Sequence, residues 1–126
     1  MQFAETDLAG MAHFSNFFRY MEEAEHALWR SAGLTIDSAT SELKWPRVSA
    51  TFDFKRPLKF EDEFEVLVSI VSVSARTITY GHAVVRGDTT IGTGSVTAAC
   101  VRRGPDGEMS AVAIPPDILD RLHAAI

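Results

Sequence analysis

Asp7, Gly10, His13 and Phe14 fall within the segment Phe3-Ala4-Glu5-Thr6-Asp7-Leu8-Ala9-Gly10-Met11-Ala12-His13-Phe14, immediately ahead of a helical pattern. A carboxylate in a turn beside the free amides of a helix start is a workable hydrolytic pair. The carboxylate serves as general base on water or as nucleophile. An amide at a helix N-terminus stabilises the oxyanion formed when an acyl carbonyl is attacked. Gly10 permits the tight backbone such a turn needs. Each residue also has a plainer reading. An Asp before a turn often caps the chain locally or forms an Asx-turn, Gly10 then only turns the chain, and His13 can stack at a helix start or an interface rather than act as a base.

Two further sets of residues carry chemistry. Glu25 is a carboxylate inside an apolar helical stripe; it is either a salt-bridged or edge acid or a second carboxylate lining an acyl pocket. Lys55, Arg56 and Lys59, with Arg76, Arg102 and Arg103, supply local cations for a nucleotide phosphate in a chain of net charge -5. That overall sign disfavours a nucleic-acid partner, whose phosphate backbone seeks basic surfaces. The single cysteine, Cys100, has no partner in the chain, and no Cys/His cluster has zinc spacing, so no metal and no cofactor is expected.

The elements that must position these groups follow from hydrophobic period. Phe14, Phe17, Phe18, Met21, Ala24, Leu28, Trp29 and Ala32 recur at helical spacing and leave Ser15, Arg19, Glu22, Glu23, His26 and Arg30 opposite. Gly33 is placed to end that helix in the left-handed conformation. After Pro46 the period becomes two, with Val48, Ala50, Phe52 and Phe54 on one side of a half-buried strand. Phe64, Val66, Val68 and Ile70 alternate likewise, and the change of phase at Val71 and Val73 predicts a bulge near position 70. Ile78, Tyr80, His82 and Val84 make a third strand. Thr89 to Arg102 makes a fourth, whose Gly92, Gly94, Ser95, Ala98, Ala99 and Cys100 leave room for a helix to approach. Pro115-Pro116 opens a short C-terminal helix with Ile118, Leu119, Leu122 and Ile126 on one face.

One helix followed by an antiparallel meander predicts an α+β fold with the sheet curling around the helix. The 126 residues suit one domain, residues 1–126, able to bury roughly two-thirds of its unfolded surface. A hydrophobic fraction of 46% with 23% charged residues indicates neither disorder nor a membrane class. The absence of a basic region followed by an apolar run near the start, and of any stretch near ~20 apolar residues, makes cytoplasmic the expectation, with no membrane partner.

Glu5-Thr6-Asp7-x-x-Gly10-x-x-His13-Phe14-x-Asn16-Phe17, followed by Tyr20-Met21-Glu22-x-Ala24, resembles the opening signature of hotdog-fold acyl-CoA thioesterases of the 4-hydroxybenzoyl-CoA thioesterase type. The resemblance continues through Phe52-Asp53-Phe54-Lys55-Arg56-Pro57-Leu58-Lys59-Phe60-Glu61-Asp62-Glu63 to Ile114-Pro115-Pro116 and spans nearly the whole chain. It implies a hotdog fold, with a long central helix wrapped by a curved antiparallel β-sheet. It also implies a homodimer or homotetramer with sites shared between subunits. The family's catalytic carboxylate falls on Asp7 and its oxyanion-binding backbone amide on Phe14, where many relatives carry Tyr or His. Many relatives also carry Arg where this chain has Glu25.

The activity so implied is thioester hydrolysis, releasing CoA and a free acid from a small aromatic or short- to medium-chain acyl-CoA. Phe17 and its aromatic neighbours are candidates for the acyl group. Two readings compete with it. One is dehydration of a 3-hydroxyacyl thioester, for which His13-Phe14 partly matches a His-Phe-Pro context and Glu25 would be the acid. The other is a non-catalytic module that only binds acyl-CoA.

Overall fold

The computed structural model describes residues 15–35, 42–59 and 61–126. Asp7, Gly10, His13 and Phe14, together with the short strand expected before them, lie outside these residues.

The first helix, α1, runs Asn16–Ser31, close to the expected span, and buries Phe17, Tyr20, Met21, Glu25, Leu28 and Trp29. It stops as its sequence requires. Gly33 takes φ +75°, its amide donates to the Arg30 carbonyl at 3.0 Å, and the Leu34 amide donates to Trp29 at 2.9 Å, the reciprocal pattern of a left-handed helix end. The C-terminal helix α2, Pro116–Ala124, starts on its proline and buries Leu122. Ile126 falls beyond it and is exposed, so it does not share that face. Both helices are short, 16 and 9 residues.

The described strands form two antiparallel sheets. After β1 (Leu43–Lys44) come β2 (Arg47–Phe54), β3 (Glu65–Val73), β4 (Thr77–Arg86) and β5 (Thr89–Ala99), then β6 (Val101–Arg103) and β7 (Met109–Ala111). The larger sheet has the order β2-β5-β4-β3, the smaller β1-β6-β7. The fourth expected strand is therefore two strands. Its chain changes sheet at buried Cys100, whose amide donates to the Arg76 carbonyl and whose carbonyl accepts from Val112.

Register places the inward residues in rows: Phe52, Gly94, His82 and Val68 across the sheet, with Ala50, Val96, Tyr80 and Ile70 beside them. The predicted bulge occurs where Ile70 pairs Tyr80 but Ser72 pairs Thr79, which leaves Val71 as the extra residue. A second irregularity, between Arg47 and Ser49, was not legible from the period. It removes Val48 from the buried phase and leaves it 60% exposed. Ala50 and Phe54 are exposed as well, because β2 is an edge among the described strands and α1 packs more over β3 than over β2. Only Phe52 of the four expected inward residues is half-buried.

The small residues of β5 act as expected. A Cβ at Gly94 would lie 2.7 Å from the Met21 sulfur, and one at Gly92 would lie inside the Phe52 ring, so glycine is what lets the helix and this ring settle on the strand. Around Trp29, Trp45, Ile78, Tyr80 and Leu122 lies one apolar core, and around Phe17, Tyr20, Leu58, Val84 and Ile91 a second.

Candidate active site

Phe17 opens the buried face of α1, three residues after Phe14 in sequence. Its ring is 2% exposed and is centred 4.7 Å from Phe52 and 5.2 Å from Phe54, with Tyr20 at 5.8 Å. Phe54 is itself half exposed. The cluster thus links the start of α1 to the open sheet edge, an apolar patch of a kind that takes an aromatic or aliphatic group.

Of the predicted phosphate ligands, Lys55 and Arg56 come together. With Arg86, Asp88, Thr89 and Thr90 they line a cavity of about 620 Å³. The amides of Lys55 and Arg56 both donate to the Ile91 carbonyl, at 2.9 and 3.0 Å, which fastens the end of β2 against the β4–β5 hairpin. Lys59 is not part of this lining. Its backbone amide instead donates to the Asp62 carboxylate at 2.7 Å, and Arg86 donates to the same oxygen at 2.9 Å. The Lys59 amide first, and the Arg86 guanidinium after it, hold the Asp62 carboxyl below its ordinary range against the opposing effect of burial. Arg76, Arg102 and Arg103 also stand outside the cavity lining. Sequence reasoning did not single out Arg86; its signal was its place just before the Gly87-Asp88 turn, opposite Lys55-Arg56 once β2 pairs with β5. A neighbouring cavity of about 620 Å³ is walled by Glu61, Asp62, Glu63 and Glu65 and would repel a polyphosphate.

Glu25 is fully buried. One carboxylate oxygen accepts from the Arg47 guanidinium at 2.5 Å; the other lies 3.0 Å from Nε2 of buried His82. That second contact is not aligned as a hydrogen bond. Neither His82 nitrogen, nor that carboxylate oxygen, has a hydrogen-bond partner among the described residues. Of the two readings of Glu25, this arrangement is the salt-bridged one, and its side chain reaches no solvent in the protomer. Arg47 and His82 were not foreseen as partners. A His on the apolar phase of β4, and an Arg at the foot of β2, were the available signals. Arg47 also lines a smaller cavity of about 270 Å³ with Glu22, His26, Lys44, Trp45, Pro46 and Met109.

The single cysteine, Cys100, is buried, and burial pushes its thiol up, away from the reactive thiolate. Among the described residues no group of three or more His, Cys, Asp or Glu is placed to hold a metal ion, and no helix is long and apolar enough to cross a membrane.

The family model of the thioesterase-like superfamily matches residues 1–122. A protein of Aquifex aeolicus, provisionally named an esterase, is 32% identical over 123 residues, covering 97% of this chain and 92% of the relative. A 1,4-dihydroxy-2-naphthoyl-CoA hydrolase of Parasynechococcus marenigrum is 33% identical over 75 residues, 52% of this chain and 49% of that protein. The crystal structure of a protein from Aquifex aeolicus superposes with a TM-score of 0.88 at 32% identity, covering 97% of this chain and 94% of that one.

Proposed function

The chain belongs to the thioesterase-like superfamily, has its hotdog fold with antiparallel sheets, and hydrolyses acyl-CoA thioesters; from that premise we propose how its residues divide the work. Asp7 supplies the carboxylate, as general base on water or as nucleophile forming a mixed anhydride with the acyl group. The Phe14 backbone amide polarises the thioester carbonyl and receives the oxyanion. Gly10 gives the intervening turn its geometry, and His13 is the additional polar group beside it.

The observation that carries this division is the match over residues 1–122, which includes the whole Asp7-to-Phe14 segment. The cavity of Lys55, Arg56 and Arg86 adds to it, being cationic where its neighbour across the β4–β5 hairpin is acidic. Its cations take the CoA phosphates. Lys59, whose amide holds Asp62, contributes at most the charge of its ammonium. The acyl group lies toward Phe17 and the aromatic residues around it, which suits a small aromatic or a short- to medium-chain acyl group. The naphthoyl substrate named for the cyanobacterial relative favours the aromatic choice.

Residues 1–126 act as one domain in the cytoplasm, with α1 as the central helix wrapped by the curved larger sheet. Two copies join through β2, the edge strand whose Val48, Ala50 and Phe54 stand exposed, since an open edge with an apolar flank seeks a partner strand. The assembly is a homodimer or a homotetramer. Sedimentation of an active monomer at micromolar concentration would overturn the assembly.

Thiol release across a panel of aromatic and aliphatic acyl-CoAs tests the activity and its substrate class together. With a 3-hydroxyacyl-CoA in the panel, an enoyl thioester in place of free thiol would give the site to dehydration instead. Single-turnover hydrolysis in heavy-oxygen water separates the two roles of Asp7, because label enters its side chain only through the anhydride.

A further inference from the structure

Arg86 ends β4 and pairs with Thr89 across the Gly87-Asp88 turn, so the β4–β5 hairpin carries it to the cavity that Lys55 and Arg56 line from the end of β2. Cations gathered in one lining repel one another, and Asp88 supplies a carboxylate among them. A second carboxylate, Asp62, stands outside that lining and holds Arg86. Both contacts of the guanidinium fall on one nitrogen: Nη1 donates to Asp62 at 2.9 Å and to the carbonyl of Pro57, the residue after Arg56, at 3.3 Å. The N–H groups on Nε and Nη2 have no protein partner among the described residues. The guanidinium is thus fixed at one corner while the donors of its other edge are left to an incoming anion.

Asp62 is itself anchored. The oxygen that receives Arg86 also accepts from the Lys59 amide at 2.7 Å, and the Asp62 amide donates to the Lys59 carbonyl at 3.0 Å. Between them Glu61 takes φ +71°, a left-handed conformation that residues with a side chain rarely adopt, so these reciprocal bonds keep the turn. The carboxylate therefore stands at a set place relative to the backbone. By charge alone a carboxylate beside a phosphate site weakens binding. Against that, a loose arginine gives up rotamer freedom each time it binds, and an arginine already held gives up less. We propose that Asp62 is a positioning residue for CoA, holding the Arg86 guanidinium so that its free edge meets a CoA phosphate. This rests on the reading of that cavity as the phosphate site given above.

The test measures CoA itself by isothermal calorimetry, with thermal unfolding and acyl-CoA kinetics on the same proteins. Asp62→Ser keeps a hydroxyl able to hold the Lys59 amide in the turn but is too short for Arg86. It is expected to weaken CoA about tenfold, the worth of one hydrogen bond to a charged group, although it deletes a negative charge beside a phosphate. KM should rise in parallel while kcat stays within twofold. Asp62→Asn keeps an acceptor oxygen at the original length and is expected to bind CoA within threefold of wild type. Placed in an Arg86→Ala background, Asp62→Ser should cost no further affinity. Binding by Asp62→Ser as tight as wild type or tighter overturns the inference, since Asp62 then only repels. A loss that persists undiminished without Arg86 overturns it by assigning the effect to the turn, and so does an Asp62→Asn protein no better than Asp62→Ser. Failure of Asp62→Ser to fold also overturns it, by making Asp62 a requirement of the fold. CoA binding unmoved by Arg86→Ala, Lys55→Glu and Arg56→Glu alike would instead bring down the assignment of the cavity to phosphates.

Discussion

The indole N–H of Trp29 donates to the Tyr80 hydroxyl across 2.8 Å, joining α1 to β4 inside the main core. Tyr80 is completely buried and Trp29 nearly so. Burial pushes the Tyr80 phenol up to about 12, with the Glu25 carboxylate adding to the shift and the Trp29 donor opposing it. The core therefore holds the protonated phenol. The stability this contributes is complete below the ordinary value of 10.0 and is lost as pH rises toward about 12. Tyr80→Phe is expected to destabilise the protein at neutral pH by about 1–3 kcal/mol, because the Trp29 donor is left unsatisfied. It should also flatten the loss of stability above pH 10. Denaturant titrations at pH 7 and pH 11 measure both effects.

Asp7→Asn keeps the shape of the side chain and its capacity to hydrogen-bond but removes basicity and nucleophilicity. We expect the melting temperature to hold while kcat falls by at least about 100-fold, the lower range for losing a general base. If Asp7 only shaped a turn, the same variant would lose up to ~2 kcal/mol of stability and keep its turnover.

Gly94 has no space for a side chain. The added carbon of Gly94→Ala would stand 2.6 Å from the Thr51 carbonyl oxygen and 2.7 Å from the Met21 sulfur. The backbone contact cannot move away as a flexible side-chain end would, so the variant should lose about 1–3 kcal/mol. Chemical denaturation reads this loss directly, and unchanged stability would mean that α1 sits higher on the sheet than described.

Reversing charge in the cationic cavity should act on binding. Arg56→Glu, or Lys55→Glu, is expected to raise KM for acyl-CoA about tenfold, roughly what an interaction of ~1.4 kcal/mol is worth, with a much smaller change in kcat. Added salt should raise the wild-type KM and narrow the difference between the two proteins. Steady-state kinetics at low and high ionic strength provide the check, and a KM unmoved by either substitution would relocate the phosphates.

Much of the fold was legible in the chain because its signals are local. The stripe from Phe17 to Trp29 defines α1, Gly33 ends it, the phase change after Ile70 marks the bulge, and the small residues of β5 announce a close approach. Each follows from the period of one element or the conformational freedom of one residue. The family was likewise legible in the motif around Asp7, and the chemistry of that motif is the proposal made above. What sequence could not supply were relationships between elements. The irregularity after Arg47 turns Val48 out of the core, and the edge position of β2 leaves Ala50 and Phe54 uncovered, so a run that alternates perfectly is half-buried only at Phe52. Arg86 joins Lys55 and Arg56 only because β2, β5 and β4 lie side by side. Glu25 looked anomalous in the stripe, but its partners lie 22 and 57 residues away along the chain and meet it only once α1 packs on the sheet. Hydrophobic period is a property of neighbours in sequence, whereas the pairing of buried charges depends on which elements the core brings into contact.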